Sequence, residues 1–206
     1  IEGYKNLIRL VSIANTDGFY YKPRIDKKLL RKYSQGLICL SACLANDIAQ
    51  SVVKDDIQKA RKLIEEYIDI FGKEDFYLEI ENHGIPQEKK VRDAYFRLAD
   101  EYSLKIVATV DSHYLKKEHS KAHEVMLCIQ TNNTIDNPNR FRFGGKGFHV
   151  MSEDEMRELF ADRPDAVDNT VEVAAKCNVD LKLGDHLFPD FEVASGMTHE
   201  DYMLEL

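Results

Sequence analysis

No apolar run approaches the roughly 20 residues that a membrane-spanning helix requires, and no signal-peptide pattern opens the chain. A soluble, cytoplasmic protein is expected. The first residue is Ile rather than Met, and the opening IEGYKN reads as a piece of a longer parent. The four cysteines, Cys39, Cys43, Cys128 and Cys177, form no CxxC pair. That excludes an obvious zinc knuckle and leaves reduced thiols as the reading. FGGKG at 143–147 lacks the preceding strand and spacing of a phosphate loop, and neither Ser41 nor Ser112 sits in a nucleophile elbow. His119 and His123 stand four apart on an expected helix, but without the acid of a metalloprotease motif they read as a helix face. There is no internal repeat and no low-complexity tract.

Positive charge is outnumbered, 28 Lys and Arg against 36 Asp and Glu, a net charge of −8. This argues against a general nucleic-acid coat. The imbalance is uneven, however: residues 1–40 hold eight bases and three acids, whereas 146–206 hold five bases and fifteen acids. A local phosphate-facing surface near the start remains open. There FYYKPRID, 19–26, interleaves aromatics with Lys22 and Arg24, a pattern that suits a nucleotide strand and equally a packed turn around Pro23.

What is present is alternation. Apolar spacing predicts a helix over 3–15, a strand over 37–42, a helix over 56–72 closed by Gly72, a strand over 76–81, a helix over 86–102 with Pro86 in its first turn, and a strand over 106–110. That order is the pattern of βαβ units and a parallel sheet. After residue 115 helices dominate, over 119–131, 152–161 and 164–179, with Ser152 and Glu155 forming a capping box. The expected organisation is an α/β unit over 1–117, a helical segment over 118–185 and a connector over 186–206 that leads into a truncated helix.

The chemistry lies just past the strands. Cys43 follows the first, His83 the second, and Asp111 and His113 the third. Ligand sites of parallel α/β folds form beyond the carboxyl ends of the strands, so three strands deliver Cys, His, and Asp plus His to one face. Such a set suits Zn²⁺, Mn²⁺ or Fe. If the extended conformation continues through 111–113, Asp111 and His113 leave the chain on the same side. Each residue also has a plainer role: Asp111 or Ser112 as a helix N-cap, Cys43 as a small buried hydrophobe, His83 in a turn made by Gly84. Their convergence is what points to a metal.

The blocks GYKNLIRLVSIANTDGFYYKPRID, GLICLSACL, FYLEIENHGIPQEKKV, IVATVDSHYL, AHEVMLCIQT and DAVDNTVEVAAKCNV resemble the DnaE-type alpha subunit of bacterial DNA polymerase III. The part represented is similar to the C-terminal part of its N-terminal polymerase and histidinol phosphatase (PHP) domain. The resemblance implies part of a distorted β/α barrel followed by a mainly helical segment, with metals at the C-terminal face of the strands. It places Cys43, His83, Asp111 and His113 at metal positions, with Asp111 catalytic, and implies Zn or Mn there and Mg for the parent polymerase. Some members hydrolyse DNA 3′ ends at this site as a proofreading 3′–5′ exonuclease; others keep the domain as a scaffold for a separate proofreading subunit. Implied partners are DNA primer-template, with Lys22 or Arg24 on its backbone, and other holoenzyme subunits. The family's early His-x-His, Asp-His-Gly and Glu motifs are absent, as are the polymerase palm aspartates, and Val110 replaces the usual Asn. The piece alone is therefore expected to be inactive and to self-associate through open sheet edges.

Overall fold

The structure, a computed structural model, describes residues 1–185, 191–193 and 196–206. Residues 186–190 and 194–195 of the expected connector lie outside the described residues.

Three strands, β1 (Cys39–Leu40), β2 (Phe76–Ile80) and β3 (Lys105–Ala108), form a parallel sheet in the order β1-β2-β3. The period-two pleat sends Phe76, Leu78 and Ile80 to one face, where all are buried in the main core. Tyr77 and Glu79 point to the other. Each strand is shorter than the apolar runs suggested, because the residues flanking these ladders leave the hydrogen-bonding register to turn.

The helices are α1 (Glu2–Thr16), α2 (Lys27–Lys32), α3 (Asp47–Val53), α4 (Ile57–Phe71), α5 (Pro86–Tyr102), α6 (Ser120–Gln130), α7 (Glu153–Leu159), α8 (Pro164–Lys176) and α9 (His199–Glu205). Two of these, α2 and α3, are short and escaped the periodicity reading. Their start signals were in the sequence: Asp26 accepts the Leu29 N–H and Asn46 accepts the Ala49 N–H, caps of about 1 kcal/mol each. The Ser152 and Glu155 capping box forms as the spacing predicts. Helix α1 crosses residue 36 so closely that a Cβ on Gly3 would fall 1.8 Å from the Gly36 carbonyl oxygen. Only glycine permits that crossing.

Helix α8 closes the outer edge of β3. Asn169 donates its amide to the Ile106 carbonyl at 2.7 Å, satisfying an edge acceptor that a further strand would otherwise take. Beside it the Lys105 ammonium bonds both Glu172 oxygens, at 2.7 and 2.8 Å, and the Tyr77 hydroxyl donates to Glu172 at 3.0 Å. The hydrogen bonds from Lys105 and Tyr77 hold the Glu172 carboxyl below its ordinary value of 4.5. A carboxyl with a depressed folded value stabilises above its unfolded value and loses that contribution as pH falls through the folded one. Protection of the α8 amides, corrected for the pH dependence of intrinsic exchange, is therefore expected to fall as pH drops through the lowered Glu172 value in the wild type. In Glu172→Gln it should be lower at neutral pH and change less on acidification; identical profiles would refute the coupling.

Candidate metal centre

Glu79 ties the carboxyl ends of all three strands together. Its Oε2 accepts the Ala42 N–H at 2.8 Å, its Oε1 accepts the Thr109 hydroxyl at 2.7 Å, and its own N–H donates to the Ser41 hydroxyl at 2.8 Å. The strand ends are thus locked in register where the site residues emerge.

His83 is the most tightly held of these. Its side chain is 2% exposed and that of Glu88 is 4% exposed, with Nδ1 and Oε1 2.7 Å apart. The other Glu88 oxygen accepts the His83 backbone N–H at 2.7 Å, so one carboxylate grips the residue twice. Nε2 lies 3.0 Å from the Val110 carbonyl oxygen, the residue before Asp111. Burial opposes charge on both side chains. The hydrogen bond between them, the backbone hydrogen bonds each makes and their opposite charges together outweigh it, raising His83 above its ordinary value and lowering Glu88. Both ring nitrogens are engaged within the protein, so His83 binds a metal only by exchanging Val110 for it.

Asp111 and His113 come together, with His113 Nε2 3.2 Å from Asp111 Oδ2. The reason differs from the sequence expectation: Asp111 adopts φ +41°, so the strand does not continue and a turn pairs the side chains. Neither Asp111 nor Ser112 caps a helix; the 3-10 turn Lys117–His119 starts later, from Lys116. Cys43, half-buried, lines the same small cavity as Glu79, Glu81 and Glu88. Lys22 and Arg24 are not part of this constellation. Arg24 donates to the Tyr20 carbonyl at 2.6 Å and lies over the Tyr20 ring, making the turn around Pro23, while Tyr20 and Tyr21 remain exposed.

Sequence reasoning missed two acids. Glu81, His83 and Glu88 offer ligand atoms all within 4.8 Å of one another. Burial pushes the Glu81 carboxyl up to about 7, with the charges of Glu79, Asp111 and Glu88 acting the same way and His83 against them. Carboxylates crowded to that degree are relieved by a cation, so the donor set of half-buried Glu81 with buried His83 and Glu88 fits a divalent metal. The signal for Glu81 was available: it stands two residues after Glu79 and two before His83, on one face of an extending strand.

The irregular segment 132–151 packs onto both histidines. Phe148 stacks on His83 with ring centres 4.1 Å apart, its carbonyl accepts the His113 N–H at 2.7 Å, and Phe143 lies 4.4 Å from the His113 ring. His123, expected on a plain helix face, joins this group 5.4 Å from His113.

Residues 1–83 match the PHP domain family, a span that takes in Cys43 and His83. The alpha subunit of DNA polymerase III from Thermus aquaticus is 44% identical over 212 residues, covering 99% of the chain and 17% of that subunit. The chain is homologous to a segment of the bacterial DNA polymerase III alpha subunit. The Campylobacter jejuni subunit is 42% identical over 200 residues, 92% of the chain, and the Borreliella burgdorferi subunit 39% identical over 193 residues, 93% of it. The chain spans 17% of the length of each of these polymerase subunits. Its α/β fold with a small parallel sheet is that of a partial PHP domain. Among the described residues no helix is long and apolar enough to cross a membrane.

Proposed function

We propose that this segment contributes a metal-dependent phosphodiesterase site to a replicative alpha subunit, cleaving nucleotides from a DNA 3′ end. The observation that carries this reading is the cluster of Glu81, His83 and Glu88, whose ligand atoms lie within 4.8 Å of one another, with the pair of Asp111 and His113 following the Val110 carbonyl that His83 contacts. Asp111, His113, His83 and Cys43 would hold the ions, Zn or Mn by donor type. When bound, such ions lower the pKa of water and neutralise charge on an attacked phosphate. Asp111 supplies negative charge at a surface position, and His113 is oriented by its contact with Asp111 and by Phe143. Glu88 fixes the His83 ring through Nδ1, which directs Nε2 toward the Asp111 side. Lys22 and Arg24 would meet the DNA backbone away from these residues.

On this reading residues 1–117 are the C-terminal half of a PHP barrel, 118–185 its helical end, and 186–206 leads toward the polymerase palm, whose own reaction uses Mg. DNA primer-template and the other holoenzyme subunits are its partners, and the cytoplasm is its compartment. The test is metal-dependent release of mononucleotides from a primed 3′ end by the alpha subunit that carries this segment. Release is expected, and its absence from folded, metal-loaded protein would favour a second reading, a non-catalytic scaffold that binds a proofreading partner. One feature speaks for that alternative: both His83 nitrogens already have protein partners.

Self-association of the isolated chain is also expected. Among the described residues β1 pairs on one side only, and Tyr4, Leu7, Ile8 and Val11 leave an exposed apolar stripe on α1. Sedimentation that detects ideal monomer at every concentration would count against it.

A further inference from the structure

The irregular stretch 143–149 is built onto the two histidines. Gly145 has φ +100°, and a Cβ there would lie 2.4 Å from the His83 carbonyl oxygen. The next residue, Lys146, donates its backbone N–H to that same oxygen at 3.0 Å. Lys146 is thereby anchored beside His83 by its main chain while its side chain stays exposed.

Two cavities open on either side of Lys146, and Lys117, Lys146 and Gly147 line both. The first, about 340 Å³, has aromatic walls from Tyr114, His123, Phe143 and Phe148. The second, about 610 Å³, reaches Asn82, His83 and His149, with Met151 and Leu159 on its apolar wall. Acidic groups border it too: Glu155, which is occupied by its capping box and by His149, and Glu158. Among the described residues the ion pairs of this region, Asp111 with His113, Arg140 with Glu124 and His149 with Glu155, take in neither lysine. Two cationic side chains thus stand on the rim shared by an aromatic compartment and one that reaches Asn82, His83 and His149.

We propose that the paired cavities form a subsite for one nucleoside monophosphate unit, the terminal nucleotide of a DNA strand. The base occupies the aromatic compartment, and the phosphate lies at Lys117 and Lys146 on the His83 side. The inference rests on the phosphodiesterase reading for its choice of a DNA end, while the recognition itself follows from the cavity. Aromatic walls accept any base by stacking, and lysine ammonium groups bind phosphate as point charges. The volumes are in the range of small-ligand sites.

The experiment is equilibrium dialysis of the chain, with metals chelated, against dTMP, thymidine and inorganic phosphate. Saturable one-to-one binding of dTMP is expected, with thymidine and phosphate each about tenfold weaker or worse. Lys117→Met combined with Lys146→Met should weaken dTMP about tenfold and leave thymidine unchanged, while Phe143→Ala should weaken dTMP and thymidine but not phosphate. Binding is read with metals chelated, apart from 3′ nucleotide release by the alpha subunit, which separates this subsite from the metal reading. Circular dichroism confirms folding of each variant, and the lysine changes are at exposed positions. No saturable dTMP binding, binding indifferent to both sets of substitutions, or phosphate binding as tightly as dTMP would each overturn the proposal.

Discussion

Asn in place of Asp111 is expected to abolish metal-dependent 3′ nucleotide release by the alpha subunit and to weaken zinc binding by more than the roughly 10–100-fold caused by losing an outer-shell partner. The substitution isolates charge from shape. Asp111 sits at φ +41°, a region that Asn tolerates better than other residues, so the turn that brings position 111 to His113 survives. Removing the carboxylate also removes one of the like charges that crowd Glu81. The metal-free variant should therefore be at least as stable as the wild type, while zinc no longer raises its melting temperature as much. Ligand stabilisation follows the ratio of ligand concentration to dissociation constant, so paired melting curves with and without zinc read the affinity change directly. Equal zinc-induced shifts in both proteins would remove Asp111 from the metal set, and with it the main support for a catalytic rather than a scaffolding site.

Alternation and strand-end chemistry are legible where a single residue type has a single physical use. The βαβ order follows from apolar runs such as IVATV and from Gly72 and Pro86 at helix ends, and it survives in β1, β2 and β3 and the helices between them. Cys43, His83, Asp111 and His113 could be selected because each follows a strand. What could not be read was the route by which Asp111 reaches His113. Asp111 reaches His113 through a left-handed turn, which the sequence DSH does not announce, because Asp tolerates that conformation without requiring it. Glu88 was hidden for another reason: three residues past Ile85 it fits an exposed first-turn acid of a helix, and only tertiary packing turns it inward onto His83. The loop 143–149 had no periodicity to detect. Its role depends on contacts with His83 and His113, which lie 60 and 30 positions earlier in the chain from Phe143. Short helices α2 and α3 failed the periodicity reading because one or two turns carry too few apolar repeats, although their Asp26 and Asn46 caps were visible.

Replacing Glu88 with Ala is expected to destabilise the chain by about 3–5 kcal/mol, the range for breaking a buried charged pair from one side. Three donors lose their acceptor: His83 Nδ1, the His83 N–H, and the Ile85 N–H, which lies 3.4 Å from Oε2. Gln at 88 keeps the volume and one acceptor, so it should cost less than Ala and should change the pH dependence instead. His83 has a raised folded value, so its contribution is complete below its ordinary 6.5 and is lost as pH rises through the folded value. Glu88 has a lowered one, so its contribution is complete above 4.5 and is lost as pH falls through the folded value. The stability difference between wild type and Glu88→Gln should therefore be largest between 4.5 and 6.5 and shrink on both sides. Urea unfolding across about pH 3 to pH 9 measures it. A difference that stays flat over that range would mean that the pair is held as a neutral hydrogen bond, and that the proton on Nδ1 alone, without the imidazolium charge, orients His83 toward Asp111.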